Sequence, residues 1–135
     1  MNFLYLDTCA AIKLFQDEVE SEVLKSWLVR HAPARQITSH LTRTELRRGL
    51  YASDADAETH QRAEQWLHRC AHVALPAKTF DDAGTVLPGT RLRSLDAVHV
   101  TAALSLGAAL VRFVTYDKRM IAAAEEAGLP VAAPG

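Results

Sequence analysis

The chain has 135 residues, a size that suits one domain with its own core and no need of disulfides or a structural metal. Of these, 49% are apolar and 23% charged, and the formal net charge is −1, so the composition excludes a disordered chain and any bulk attraction to nucleic acid. Cys9 and Cys70 form no disulfide framework, no leader-type segment opens the chain and no run reaches membrane-spanning length. The expectation is therefore a single domain over residues 1–135, without membrane contact, in a reducing cytoplasm.

Phe3-Leu4-Tyr5-Leu6 is a short apolar run that stops at Asp7, the pattern of a buried strand leaving the core at its carboxyl end. A helix is predicted over Thr8 to Phe15. A second runs from about Glu18 to His31, where Val19, Val23, Leu24, Trp27 and Leu28 share one stripe before Pro33 stops the run. That stripe makes the first two helices the expected dimer or partner surface. Gln36 to Ser39 reads as a short strand. Thr42 and Glu45 fit a capping box opening a helix to about Ala52, and after the polar break at Ser53 to Asp56 another helix reaches about Cys70. Val73 to Leu75 is predicted as a strand and Ala77 to Val86 as a helix. Beyond the turn at Leu87-Pro88-Gly89-Thr90, Ser94 is expected to cap a helix that is apolar nearly all round and ends near Gly107. Phe113-Val114-Thr115-Tyr116-Asp117 repeats the opening pattern, Lys118 to Ala127 reads as a helix ended by Gly128, and Pro130-Val131 as a last edge strand. Strands alternating with helices predict a mainly parallel sheet with helices on both faces.

Asp7, Glu45, Asp96 and Asp117 stand out in this arrangement. Singly, each has a structural explanation: Asp7 and Asp117 as N-caps, Glu45 in a capping box, Asp96 in a first helical turn where the dipole favours a negative charge. Jointly, all four fall where the chain reaches the carboxyl rim of one sheet, the side on which ligands bind in open α/β folds. Carboxylates gathered there repel one another unless a proton or a cation intervenes, and oxygen donors of this kind suit Mg2+ or Mn2+. Lys13, Arg43, Arg91, Arg93 and Lys118 accompany the acids, and cations around an acidic centre suit the flanking phosphates of a phosphodiester.

These motifs resemble the PIN-domain nucleases, and among them the VapC-type toxins of type II toxin–antitoxin systems. The resemblance rests on Tyr5-Leu6-Asp7-Thr8, Thr44-Glu45-Leu46, Leu95-Asp96-Ala97-Val98-His99 and Val114-Thr115-Tyr116-Asp117-Lys118-Arg119, in that order along nearly the whole chain. It implies a three-layer α/β/α sandwich with a central, mainly parallel sheet. It also implies a Mg2+-dependent endoribonuclease, with Mn2+ as the substitute ion, that leaves a 5′-phosphate and a 3′-hydroxyl. Its catalytic and metal-binding residues map onto Asp7, Glu45, Asp96 and Asp117, and its supporting hydroxyl onto Thr115 or Thr8. His99, three residues after Asp96 on the same helix face, is placed by its spacing to hydrogen-bond near the site, with a packed or capping histidine the simpler account. The partners it implies are RNA, a VapB-type antitoxin, a second copy of the chain, and operator DNA reached only through the antitoxin. Lys118, Arg119 and Met120 stand where some relatives carry a further acid, which argues against a tightly held second ion.

The rival reading is a catalytically weak binding module kept for antitoxin partnership and operator regulation. Other chemistries fit less well. A phosphatase of the haloacid-dehalogenase kind needs a second Asp two residues after the first, where this chain has Cys9. His68 and His72 have helical spacing but no completing ligands, so surface histidines are the simpler account, and Trp27 and Trp66 read as core or interface anchors.

Overall fold

Phe3–Leu6 forms β1, the middle strand of a five-stranded sheet, in a computed structural model that describes residues 1–135. The chain continues through α1 (Thr8–Ile12), α2 (Ser21–Arg30), β2 (Arg35–Ser39), α3 (His40–Ala52), α4 (Ala57–Arg69), β3 (Ala71–Val73) and α5 (Ala77–Ala83). It ends through α6 (Ser94–Leu104), a 3-10 turn at Gly107–Ala109, β4 (Leu110–Val114), α7 (Lys118–Glu126) and β5 (Val131–Ala132). The strand order is β3-β2-β1-β4-β5 and every pairing is parallel. The order therefore reverses between β1 and β4, and the crevice beyond the carboxyl ends of those two strands is where such sheets bind ligands.

The period of two along β1 divides the core between two helical layers. Leu4 and Leu6 pack with Leu24 and Leu28 of α2, Leu46 and Leu50 of α3, and Trp66 and Leu67 of α4. Tyr5 points to the opposite face, among Val100 of α6, Phe113 of β4 and Met120 of α7. Six residues of α6, from Ala97 to Ala103, are buried, as its all-round apolar pattern requires. The expected α/β/α sandwich is thus the observed fold, and no helix is long and apolar enough to cross a membrane.

Several expectations change: α2 begins at Ser21, α5 ends at Ala83, β4 begins at Leu110, and Ser94 opens α6 without capping it, Arg93 standing at the cap with no side-chain capping bond. α1 stops at Ile12 rather than Phe15, its end tightened by the Lys13 N–H bonding back to the Ala10 carbonyl at 3.2 Å. β3 occupies Ala71–Val73 rather than Val73 to Leu75, because its register is set by pairing with Ile37, Thr38 and Ser39 of β2. Ser39, not Thr42, caps α3: β2 runs directly into the helix and the Ser39 hydroxyl accepts from the Leu41 N–H. Gly128, at φ 85°, takes the left-handed turn that closes α7.

Candidate active site at the carboxyl rim

Asp7 lies where β1 ends and is only 1% exposed. Its two oxygens are used differently. Oδ1 accepts from the Ala10 N–H at 2.9 Å and caps α1, while Oδ2 accepts from the Thr115 hydroxyl at 2.5 Å. Burial pushes the carboxyl above its ordinary pKa, against the pull of Thr115, His99 and the Ala10 N–H. Two of the four lone-pair positions of the carboxylate are filled by these bonds, and two stay available.

Thr115 links Asp7 to the strand on the other side of the switch point, because its Oγ1 also accepts from the Asp117 N–H at 3.3 Å. Asp117 caps α7 with Oδ1, which accepts from the N–H groups of Arg119 and Met120 at 2.9 and 3.1 Å. Its Oδ2 is 3.4 Å from the Arg93 guanidinium, whose Nε donates at 2.9 Å to Oδ2 of Asp96, in the first turn of α6. One internal cation therefore lies between two carboxylates.

Glu45 completes the set from α3. Oε1 accepts from the Thr8 hydroxyl at 2.6 Å and lies 2.9 Å from Nε2 of His99. Burial alone would raise its pKa, but the bonds from His99 and Thr8 and the nearby Arg93 charge bring it below the usual value. Behind it, His99 Nδ1 is 2.7 Å from the Tyr5 hydroxyl. Thr42, expected as a cap, instead bonds Thr38 at 2.7 Å and Thr8 at 3.3 Å, and the Thr38 hydroxyl donates to the Leu6 carbonyl at 2.7 Å. Hydroxyls thus tie the ends of β1 and β2 to α3 beneath the acids.

The structure brings Asp7, Glu45, Asp96 and Asp117 to one rim, with Thr8, Thr115 and His99 among them. Arg43, Arg91 and Lys118 are exposed. Lys13 departs from expectation: it is 9% exposed, held by Glu18 at 2.8 Å and Glu20 at 3.0 Å with its ammonium over the Tyr116 ring, so its charge is taken up internally and not offered to a phosphate. Tyr5 and the carboxylate-bridging place of Arg93 were not anticipated. The one sequence signal for Tyr5 was its alternate position in β1, facing the helix that carries His99. Cys9 is no nucleophile here: burial pushes its thiol up to about 12, and its sulfur accepts from the Tyr116 N–H at 3.3 Å.

No group of three His, Cys, Asp and Glu side chains stands ready to hold a metal ion. Arg93 accounts for this at Asp96 and Asp117, since a guanidinium already fills the space between them. The donor chemistry nevertheless suits a hard divalent cation: the acids offer only oxygens, the Asp96–Asp117 pair already shares a positive charge, and Arg93 is exposed enough to swing away.

The PIN domain family matches residues 4–126. Ribonuclease VapC35 of Mycobacterium tuberculosis is 39% identical over 134 residues, covering 98% of this chain and 97% of the relative. Ribonuclease VapC46 of the same organism is 36% identical, covering 99% of each. Among solved structures, VapBC2 from Rickettsia felis, bound to a DNA fragment from the VapBC2 promoter, superposes with a TM-score of 0.75 at 16% identity over 96% of this chain and 97% of that one. FitAcB from Neisseria gonorrhoeae gives 0.69 at 20% identity over 97% of each. With a whole-length fold match and curated relatives above one-third identity, the chain belongs to the PIN domain family.

Proposed function

We propose that the protein is a Mg2+- or Mn2+-dependent endoribonuclease, the toxin of a VapBC-type pair. The observation that carries the reading is the meeting of Asp7, Glu45, Asp96 and Asp117 at the switch point, joined through Thr115, Thr8 and Arg93. Relatives named ribonucleases along their full length support it.

Asp7, Asp96 and Asp117 would hold the ion directly, and Glu45 directly or through water. When bound, the ion supplies polarisation of water and neutralisation of charge at the reacting phosphate. The chain's own residues do the rest. Thr115 holds Asp7 and Asp117 in one place through its single hydroxyl. Arg93, displaced from the acids, is left at the rim, where an exposed guanidinium suits an RNA phosphate, and the exposed Arg43, Arg91 and Lys118 are further candidates for phosphate contact.

The partners proposed are a VapB-type antitoxin and a second copy of the chain. α2 leaves Val29 exposed along an apolar groove that Leu14, Phe15, Leu28 and Trp66 also line, which suits an apolar partner segment. The guanidinium between Asp96 and Asp117 supports a basic side chain of the antitoxin as the group that would neutralise the rim.

Asp7→Asn and Asp96→Asn each reduce cleavage of RNA by at least a hundredfold, and chelator abolishes wild-type cleavage. Unchanged cleavage by either folded variant, or in excess chelator, would remove the mechanism.

A further inference from the structure

Glu45 sits in front of a buried chain of hydrogen bonds that the proposed chemistry does not itself require. Tyr5 is wholly buried and His99 is 2% exposed. The Tyr5 ring is fixed between Phe113, stacked at 5.3 Å, and the His99 ring, met edge-on at 5.9 Å and 79°. The imidazole therefore has polar partners on both nitrogens: the phenol at Nδ1 and Glu45 Oε1 at Nε2, with the Thr8 hydroxyl 3.4 Å from the latter.

The tautomer follows from the partners. An ionised carboxylate only accepts, so the nitrogen facing Oε1 must carry the hydrogen. That leaves Nδ1 as an acceptor, which the Tyr5 O–H satisfies. The wholly buried phenol, 2.7 Å from Nδ1, is the donor of that bond. Both protein bonds to Glu45 then fall on Oε1, one from Thr8 and one from His99, and Oε2 is free to face the rim.

We propose that Tyr5 and His99 are positioning residues, the phenol fixing the imidazole as its Nε2–H tautomer and the imidazole fixing Glu45 with Oε1 turned inward and Oε2 presented to a divalent cation. The inference rests on the nuclease reading for what Glu45 serves, and on the structure alone for how Glu45 is held. Its logic is that of a carboxylate oriented by a histidine whose far nitrogen is itself anchored, an arrangement whose loss typically costs ten- to a hundredfold in metal affinity or activity.

Long-range 1H–15N spectra of the metal-free protein read the tautomer directly. The wild type shows the Nε2–H form, and Tyr5→Phe, which removes one hydroxyl from an intact ring, loses that single form. In Mn2+ titration and RNA cleavage, Tyr5→Phe binds Mn2+ about tenfold more weakly and has about tenfold lower kcat, with KM for RNA unchanged. His99→Gln, whose amide both accepts from Tyr5 and donates to Glu45, retains most of both properties, and His99→Leu loses them. An Nδ1–H imidazole in the wild type, a wild type that binds no Mn2+, or a folded Tyr5→Phe protein with native Mn2+ affinity and kcat overturns the proposal. A wild type that binds Mn2+ but cleaves no RNA ends the nuclease reading, while the tautomer and the Mn2+ titration still decide this one.

Discussion

At the scale of single residues, the pKa of Asp7 lies above its ordinary value because burial outweighs the bonds from Thr115 and Ala10. A carboxyl with a higher pKa in the fold than in the unfolded chain binds its proton more tightly in the fold. Stability from this group is therefore fully present below the unfolded value and is lost as pH rises through the raised folded one. Asp7→Asn removes the buried charge with little change of shape. In chelator it should melt above the wild type at pH 7, by about 1 kcal/mol, a usual gain when a functional site is relieved. The gap should narrow as pH falls into the ordinary carboxylate range, and equal melting temperatures across pH 4 to 8 would contradict this account. Asp7 and Asp117 were readable as strand-ending acids because the apolar runs before them are local signals. The Tyr5–His99 bond joins residues 94 positions apart, and the Arg93–Asp117 contact spans 24, so neither leaves a trace in spacing. Lys13 was misread for a different reason: its partners Glu18 and Glu20 are near in sequence, but they lie on an irregular connection whose path the sequence does not specify.

At the scale of elements, α3 carries Glu45 and begins one residue after β2 ends, with Ser39 as the joint. The capping-box pattern at Thr42 and Glu45 was a true local match that lost to tertiary structure. The buried hydroxyl of Thr38 and the half-buried one of Thr8 offered Thr42 better partners, and Ser39 already capped the helix. Ser39→Ala should therefore destabilise by about 1 kcal/mol, whereas a mere helix-interior hydroxyl would cost less. In urea unfolding its midpoint should fall with the slope unchanged, and an unmoved midpoint would return the cap to another residue. The strand at Phe3 and the all-apolar α6 were legible because burial leaves unbroken apolar runs, whereas β4 was legible only at Phe113 and Val114, since the exposed Arg112 interrupts the run before them. β3 was not, since three half-buried residues take their frame from β2.

At the scale of the molecule, four acids from the end of β1, α3, α6 and the start of α7 share one rim, so a divalent ion bound there would tie distant elements together and favour the fold over the unfolded chain. Mg2+ at a hundredfold excess over its dissociation constant should add about 2.7 kcal/mol to stability, read as a rise in melting temperature, and Asp96→Asn should abolish that rise. An equal rise in both proteins would assign the effect to unspecific ion binding. The strand order carries one more consequence. β1 is made first, yet its partner β4 pairs Phe3 with Leu110, and Asp117 lies later still. Contacts of such long sequence separation close late and slowly. The rim on which the four acids meet is therefore complete only once nearly the whole chain has been synthesised, so manufacture of the protein precedes whatever that centre does.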